Sequence, residues 1–376
     1  MRILHLNPYF FPYRGGIERR IWGLSKELVK SGHELVVLTS QLPDTAPEEK
    51  VDGILVRRLE SKFYDIANYN PPFLTTKGIA EAIRDIEPDV IDFHYRWAPD
   101  YTRSVRKVRR DIPVAFTFHN TFGEGEGLEG RISYLSDSIF KWFLRQCDLV
   151  ICVSDFIRRD LERRRIPPGK LRVSHNGIDP TPEAEIARLR AAAPAGAPYA
   201  VFVGRLVRTK GLSVLVEAAR EVRQPLRFVI CGQGPEAEGL AGQAADFGVA
   251  DRFDFRGFTG EAAKRELLAG ARLLVHPATF ESFGIAVLEA LDLACPVVAT
   301  AVGGLPEVVG DAGVLVRPGD PKALAAAVDL VAGGGAERDR LARAARAQAA
   351  KFAWPKLAAQ VEQIYLEAAR GRARAA

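Results

Sequence analysis

Leu273-Leu274-Val275-His276-Pro277-Ala278-Thr279-Phe280-Glu281-Ser282-Phe283-Gly284-Ile285-Ala286-Val287-Leu288-Glu289 is the stretch on which the fold turns. Leu273–His276 is a short apolar run with the look of a buried strand, and Gly284–Ile285 opens a helical pattern. Glu281 therefore sits in the connecting loop, and Glu289 lies about a turn into the helix, so the two carboxylates do different work. The backbone N–H groups near Gly284 and Ile285 form a helix N-terminus, which favours a phosphate through free donors and the helix dipole. Gly284 lets a ligand approach the backbone. A carboxylate further in can accept hydrogen bonds from the vicinal hydroxyls of a ribose.

The strand–loop–helix unit recurs along the chain. Outward from it lie strand-like runs at Tyr199–Val203, Arg227–Cys231, Arg252–Phe255, Val297–Thr300 and Val314–Val316. In the first half the runs are Ile3–Leu6, Glu34–Thr39, Ile54–Leu59, Val90–His94, Val114–His119 and Leu149–Val153. Helical patterns at Ile17–Ser31, Leu74–Ile86 and Ile132–Cys147 separate them. Such alternation predicts parallel sheets with helices on both faces. Pro180, Pro182, Pro194 and Pro198 interrupt it, so the chain is read as residues 1–180, a linker over 181–198, a second domain over 199–350 and a C-terminal helix over 351–376 that packs back on the first domain or covers the second sheet. The expected class is α/β, two Rossmann-like doubly wound domains facing each other across a cleft, since ligands sit at the carboxyl ends of such strands. A chain of 376 residues suits two cores better than one.

Other polar residues gather at those strand ends. Arg205, after Val203-Gly204, and Lys210-Gly211 lie on one strand-to-helix loop; a planar guanidinium and a mobile ammonium there suit a diphosphate. They would offset charge that grows on a departing nucleoside diphosphate. Gly15-Gly16 follows the first strand, where a glycine pair reads as a tight turn or as a loop that admits a ligand. Phe118-His119-Asn120 ends another strand, and His119 is either a structural histidine or a group facing the ligand.

Together these residues resemble the retaining glycosyltransferases of the GT-B fold known as glycosyltransferase family 4. The resemblance runs through Gly15-Gly16, Gly32-His33, Ser174-His175-Asn176-Gly177-Ile178-Asp179, Val203-Gly204-Arg205, Lys210-Gly211, Gly232-Gln233-Gly234-Pro235, Glu281 to Glu289 and Gly303-Gly304-Leu305-Pro306-Glu307. It implies that Arg205 and Lys210 hold the donor diphosphate, Glu281 the donor-sugar hydroxyls and Glu289 the ribose. Gly284 and Ile285 would contact sugar and phosphate through their backbone, Gly16 would approach the phosphate, and Gly234 and Phe258 would lie by the base. His119 would touch the donor sugar at the reaction centre. Tyr9, Asn120 and the loop His94–Trp97, with Tyr95, are candidates for the acceptor side. The family often has a proline before Asn176-Gly177, where this chain has His175.

The implied reaction is transfer of a sugar from a UDP-, GDP- or ADP-sugar to an acceptor hydroxyl with retention, by front-face substitution. No suitably placed Asp-x-Asp pair is present, so no metal or other cofactor is expected. Two other readings share the nucleotide site: an epimerase of the same fold, and a non-catalytic binder of nucleotide sugars.

The net charge is +5 with a pI of 9.0, and the basic residues cluster. Arg103, Arg106, Lys107, Arg109 and Arg110 form one group; Arg158, Arg159, Arg163, Arg164 and Arg165 form another. They are either solvated helix faces or a surface for anionic lipid or for a lipid-linked or phosphorylated acceptor. No nucleic-acid signature accompanies them. Cys147, Cys152, Cys231 and Cys295 lie in apolar segments without metal-type spacing, as buried thiols of a reducing compartment do. The N-terminus enters a strand directly and no apolar run reaches membrane-spanning length. The expected location is the cytoplasm, with peripheral contact at the inner face of a membrane left open.

Overall fold

The computed structural model describes residues 1–13, 15–64, 73–120, 140–194 and 196–373. Contacts divide the chain into two units, Met1–Gly177 with Trp354–Ala376, and Ile178–Ala353.

In the first unit the strands are β1 (Arg2–Leu6), β2 (Glu34–Ser40), β3 (Glu48–Val51), β4 (Ile54–Leu59), β5 (Ser61–Tyr64), β6 (Phe73–Thr76), β7 (Val90–Phe93), β8 (Val114–Phe118), β9 (Leu149–Cys152) and β10 (Leu171–Val173). Among the described residues they form a sheet of order β10-β9-β8-β7-β1-β2-β4-β3, while β5 and β6 pair separately. Every ladder of the larger sheet is parallel except β3 against β4. Strands such as β7 and β8 are buried along their whole length because helices cover both faces, so their sequences run apolar without alternation. The strand order reverses between β1 and β7, and at such a reversal the adjoining helices diverge to opposite faces and open a crevice.

The second unit holds β11 (Tyr199–Val203), β12 (Arg227–Cys231), β13 (Phe253–Gly257), β14 (Leu273–His276), β15 (Val297–Thr300) and β16 (Gly313–Val316). All are parallel, in the order β13-β12-β11-β14-β15-β16. The reversal lies between β11 and β14, next to Glu281.

Three local readings change. Leu74–Ile86 is not one helix: β6 occupies its start, and the helix runs only over Ile79–Ile86. Gly78, at φ +73°, turns the chain between them, and the β-branched Thr75 and Thr76 favour the strand. Of Ile132–Cys147, residues 140–146 are helical, and 132–139 lie outside the described residues, as does the Gly123–Gly130 loop. The short strands β3, β5 and β10 carry too little apolar periodicity to be seen in the sequence.

Residues 183–192 form a helix inside the stretch read as a linker, and it packs on the helix Glu261–Gly270 of the second unit. The C-terminal helix Trp354–Ala373 packs on the helix Gly16–Lys30 of the first unit. A Cβ on Gly23 would stand 2.2 Å from the Trp354 ring, and one on Gly177 2.5 Å from it, so both glycines make room for that indole. The family-like Asn176-Gly177 pair thus has a packing reason of its own. The four cysteines are buried and free, and burial pushes the Cys295 thiol up to about 12. Among the described residues no helix is long and apolar enough to cross a membrane.

Candidate active site

In the second unit the loop after β11 is laced to the loop after β14. The Thr279 N–H donates to the Thr209 carbonyl at 2.9 Å. Gly211, at φ +66°, lies so close to Pro277 that a Cβ would meet its carbonyl at 2.0 Å. This lacing brings Lys210 to Glu281: Nζ donates to Oε2 at 2.7 Å. His276, at the carboxyl end of β14, donates from Nε2 to the same oxygen at 3.0 Å. Burial would raise the Glu281 carboxyl, but the hydrogen bond from His276 and the charge of Lys210 outweigh it and hold the group well below the usual carboxylate range. Among the described residues no hydrogen bond reaches Oε1.

The carboxylate's position is set from below by glycines. Gly304 donates its N–H to the Glu281 carbonyl at 3.0 Å, and a Cβ on Gly303 would stand 1.7 Å from that carbonyl. The family-like Gly303-Gly304 pair is therefore the bed of the Glu281 loop. Gly284 caps the helix Ile285–Asp292 with φ +101° and no side-chain cap, which leaves the first N–H groups to a ligand. Glu289, a turn later, pairs with Lys264 at 2.8 Å.

Arg205 is exposed on the same loop as Lys210. Gly234 packs under that loop, with room for no Cβ because the Leu206 carbonyl would be 2.2 Å away. Phe258, just past β13, is 79% exposed. An acidic group fully ionised by two partners, cationic groups and an uncapped helix N-terminus converge at one strand-order reversal.

The first unit carries a second polar cluster at its own reversal. Ile17, His94, Tyr95, His119 and Asn120 line one small cavity. Gly16 opens the helix Gly16–Lys30 next to Ile17. Tyr9 is buried, its ring 5.4 Å from Tyr95, so it supports this wall more than it presents itself. Beneath lies Asp92, which accepts from Tyr365 Oη at 2.6 Å and Thr117 Oγ1 at 2.8 Å. Glu18, in the first turn after Gly16, is buried, and burial lifts its carboxyl to about 7 despite a hydrogen bond from Asn7. His5, Asp92 and His94 also offer ligand atoms within 4.8 Å of one another.

His276, Lys264 and Asp92 were not legible as site residues. His276 ends a plain apolar strand and Lys264 sits in an ordinary charged helix; only pairing with Glu281 and Glu289 sets them apart.

The basic groups separate in the structure. Arg158 and Arg159 pair with Asp155, Arg158 also with Glu162, and Arg163 and Arg164 with Asp160. Arg103, Arg106, Lys107, Arg109 and Arg110 instead line one groove around Trp142, with Arg106 stacked 4.4 Å over the indole, and among the described residues none has a carboxylate partner.

Two Rossmann-like α/β units with this kind of site make up the GT-B architecture of sugar-transferring enzymes. The chain belongs to the group 1, family 4 glycosyltransferases: residues 185–348 match the glycosyl transferases group 1, and residues 14–181 match glycosyltransferase family 4. It is 30% identical to a glycogen synthase of Mycobacterium tuberculosis over 401 aligned residues, which cover 99% of this chain and 96% of that protein. Its fold is similar to sucrose-phosphate synthase from Thermosynechococcus elongatus, with a TM-score of 0.80, 22% identity and coverage of 98% and 99% of the two chains. It is likewise similar to the Anabaena protein HepE in complex with UDP and glucose, with a TM-score of 0.76, 21% identity and coverage of 97% and 99%.

Proposed function

We propose that this glycosyltransferase moves a sugar from a nucleotide-diphosphate sugar to an acceptor hydroxyl with retention of configuration, by front-face substitution and without a metal. The observation that carries the reading is the shared Glu281 oxygen. With Oε2 held by Lys210 and His276, Oε1 is presented to accept from sugar hydroxyls. Lys210 keeps donors for a phosphate, and Arg205 adds a second cation that needs no ion to bridge it. The Gly284 helix terminus adds N–H groups aimed at the same charge. Glu289, steadied by Lys264, takes the ribose, and Gly234 and Phe258 flank the base; Gly16 and His119 are the donor candidates of the first unit. Tyr95 and Asn120 are the acceptor candidates, with Tyr9 behind them. The UDP bound to HepE supports a nucleotide donor. Glu281, engaged in binding, is not the nucleophile in this reading, and the leaving phosphate takes the acceptor proton.

Calorimetry with UDP-, GDP- and ADP-sugars, followed by NMR of the product's anomeric centre, tests the reading. Inversion, or loss of turnover in excess chelator, would count against it. Epimer formed from a donor alone would favour the epimerase.

The unneutralised groove at Arg103, Arg106, Arg109 and Arg110 favours an acceptor that carries phosphate or sits in an anionic bilayer, with the enzyme in the cytoplasm at the inner membrane face.

A further inference from the structure

Three histidines cross the first unit on neighbouring strands. His5 lies in β1, His94 just after β7 and His119 just after β8. His5 Nδ1 is 3.0 Å from His94 Nε2, and His94 Nδ1 is 3.2 Å from His119 Nε2. His5 and His94 are buried, while His119 is half-buried and opens on the cavity it shares with Tyr95 and Asn120. The three rings thus run from core to surface as one hydrogen-bonded file.

All three are neutral. Burial, then the charge of Arg20, depresses His5 to about 3; the same two causes act on His119, and on His94 its neighbouring histidines add to them. A neutral imidazole has one N–H and one bare nitrogen, so each hydrogen bond in the file fixes the next. The direction is decided at the inner end. Among the described residues His5 Nε2 is buried with no hydrogen-bond partner. A stranded N–H there is the costlier choice, since orphaned buried donors are rarer than under-satisfied acceptors. Asp92 Oδ2 lies 3.9 Å from His5 Nδ1 and 3.5 Å from His94 Nε2, beside the hydrogen they share, and so does not fix its direction.

We propose that His5 and His94 are positioning residues that set the tautomer of His119, so that it presents Nδ1–H as a fixed donor to an oxygen of the bound substrate and does not act as a base. His5 donates from Nδ1 to His94 Nε2, His94 donates from Nδ1 to His119 Nε2, and the remaining N–H points outward. Among the described residues His119 Nδ1 has no hydrogen bond of its own, so the donor is kept for a ligand. The part played at the sugar rests on the function proposed above; the tautomer does not.

Long-range proton–nitrogen correlation spectra of histidine-labelled protein read the tautomer with no substrate. The expected result is a neutral His119 with its hydrogen on Nδ1, and His94 the same. A hydrogen on His119 Nε2, an imidazolium near neutral pH, or a metal ion found among His5, Asp92 and His94 would overturn the proposal. In His94→Phe and in the milder His5→Phe, His119 should populate both tautomers and kcat should fall roughly tenfold with the donor KM little changed. His94→Gln, whose amide both accepts and donates, should restore one tautomer and most of the rate. If His94→Phe kept the wild-type His119 spectrum and lost only thermal stability, the role would be structural and the proposal wrong. Should every donor prove inert, the function fails while the spectra still decide this inference.

Discussion

Lys210 Nζ and His276 Nε2 meet on one oxygen of Glu281, at 2.7 and 3.0 Å, although Lys210 is 71 residues from Glu281 in sequence. Two donors on a single half-buried oxygen hold the carboxylate ionised and rotationally fixed. The geometry also explains why Lys210 sits on a loop pinned through Gly211: a lysine free to swing would hold neither the carboxylate nor a phosphate in place.

Lys210→Ala leaves the Glu281 carboxylate with one partner and removes a donor from the phosphate site. Turnover should fall by roughly 100-fold or more, as when a transition-state donor is lost, with the far-UV spectrum unchanged. Glu281→Ala should match it. Steady-state kinetics check both, and near wild-type kcat in either variant would refute the assignment.

Gly303→Ala tests the bed of the Glu281 loop. The residue sits at φ +56° and its new Cβ would stand 1.7 Å from the Glu281 carbonyl, so backbone must move. A loss of about 2–4 kcal/mol is expected in denaturant unfolding, together with weakened donor binding. Gly319→Ala is the control: φ is +73° but nothing lies within 4 Å, so only the conformational penalty of about 1 kcal/mol applies.

Glu18 gives a pH-dependent prediction. Its folded value, about 7, lies above the ordinary 4.5, so the native state binds the proton more tightly. Its contribution to stability is whole below 4.5 and is lost as pH rises through about 7. Glu18→Gln removes this loss. Its stability relative to wild type should therefore climb across that window, by up to roughly 3 kcal/mol, then level off. Melting temperatures across the window check it; a difference independent of pH would show that Glu18 is not held protonated.

The basic groove predicts selective loss of anionic lipid binding. Arg106→Glu with Arg109→Glu should abolish co-sedimentation with anionic liposomes, because among the described residues those charges have no carboxylate partner to offset them. Arg159→Glu with Arg163→Glu should have a much smaller effect, since the carboxylates of Asp155 and Asp160 already offset that helix. Equal recovery of wild type on neutral and anionic liposomes would remove the membrane reading.

Where the sequence was legible, a short-range rule was at work. Leu273–His276 and Tyr199–Val203 are apolar runs that parallel sheets bury on both faces, and they came out with the bounds read from the sequence. Gly284 marked a helix start because its φ of +101° is open chiefly to glycine. Leu74–Ile86 misled because one periodic pattern covered a strand, a glycine turn and a helix. The strands β3 and β10 were silent, being short and placed by their partners rather than by their own composition.

By itself the sequence determined the α/β class, the family, and the strand ends on which Lys210, Glu281, His119 and their glycines stand. The class and the strand ends follow from local periodicity and from backbone conformations that few residues can adopt, the family from the resemblance its motifs carry in their order. Only the tertiary structure decided which polar groups meet: His276 with Glu281, Lys264 with Glu289, Tyr365 with Asp92, and His5 with His94 and His119. Such pairs join distant segments at distances of a few ångströms, where hydrogen bonds and desolvation set charge and tautomer, and no local pattern encodes them.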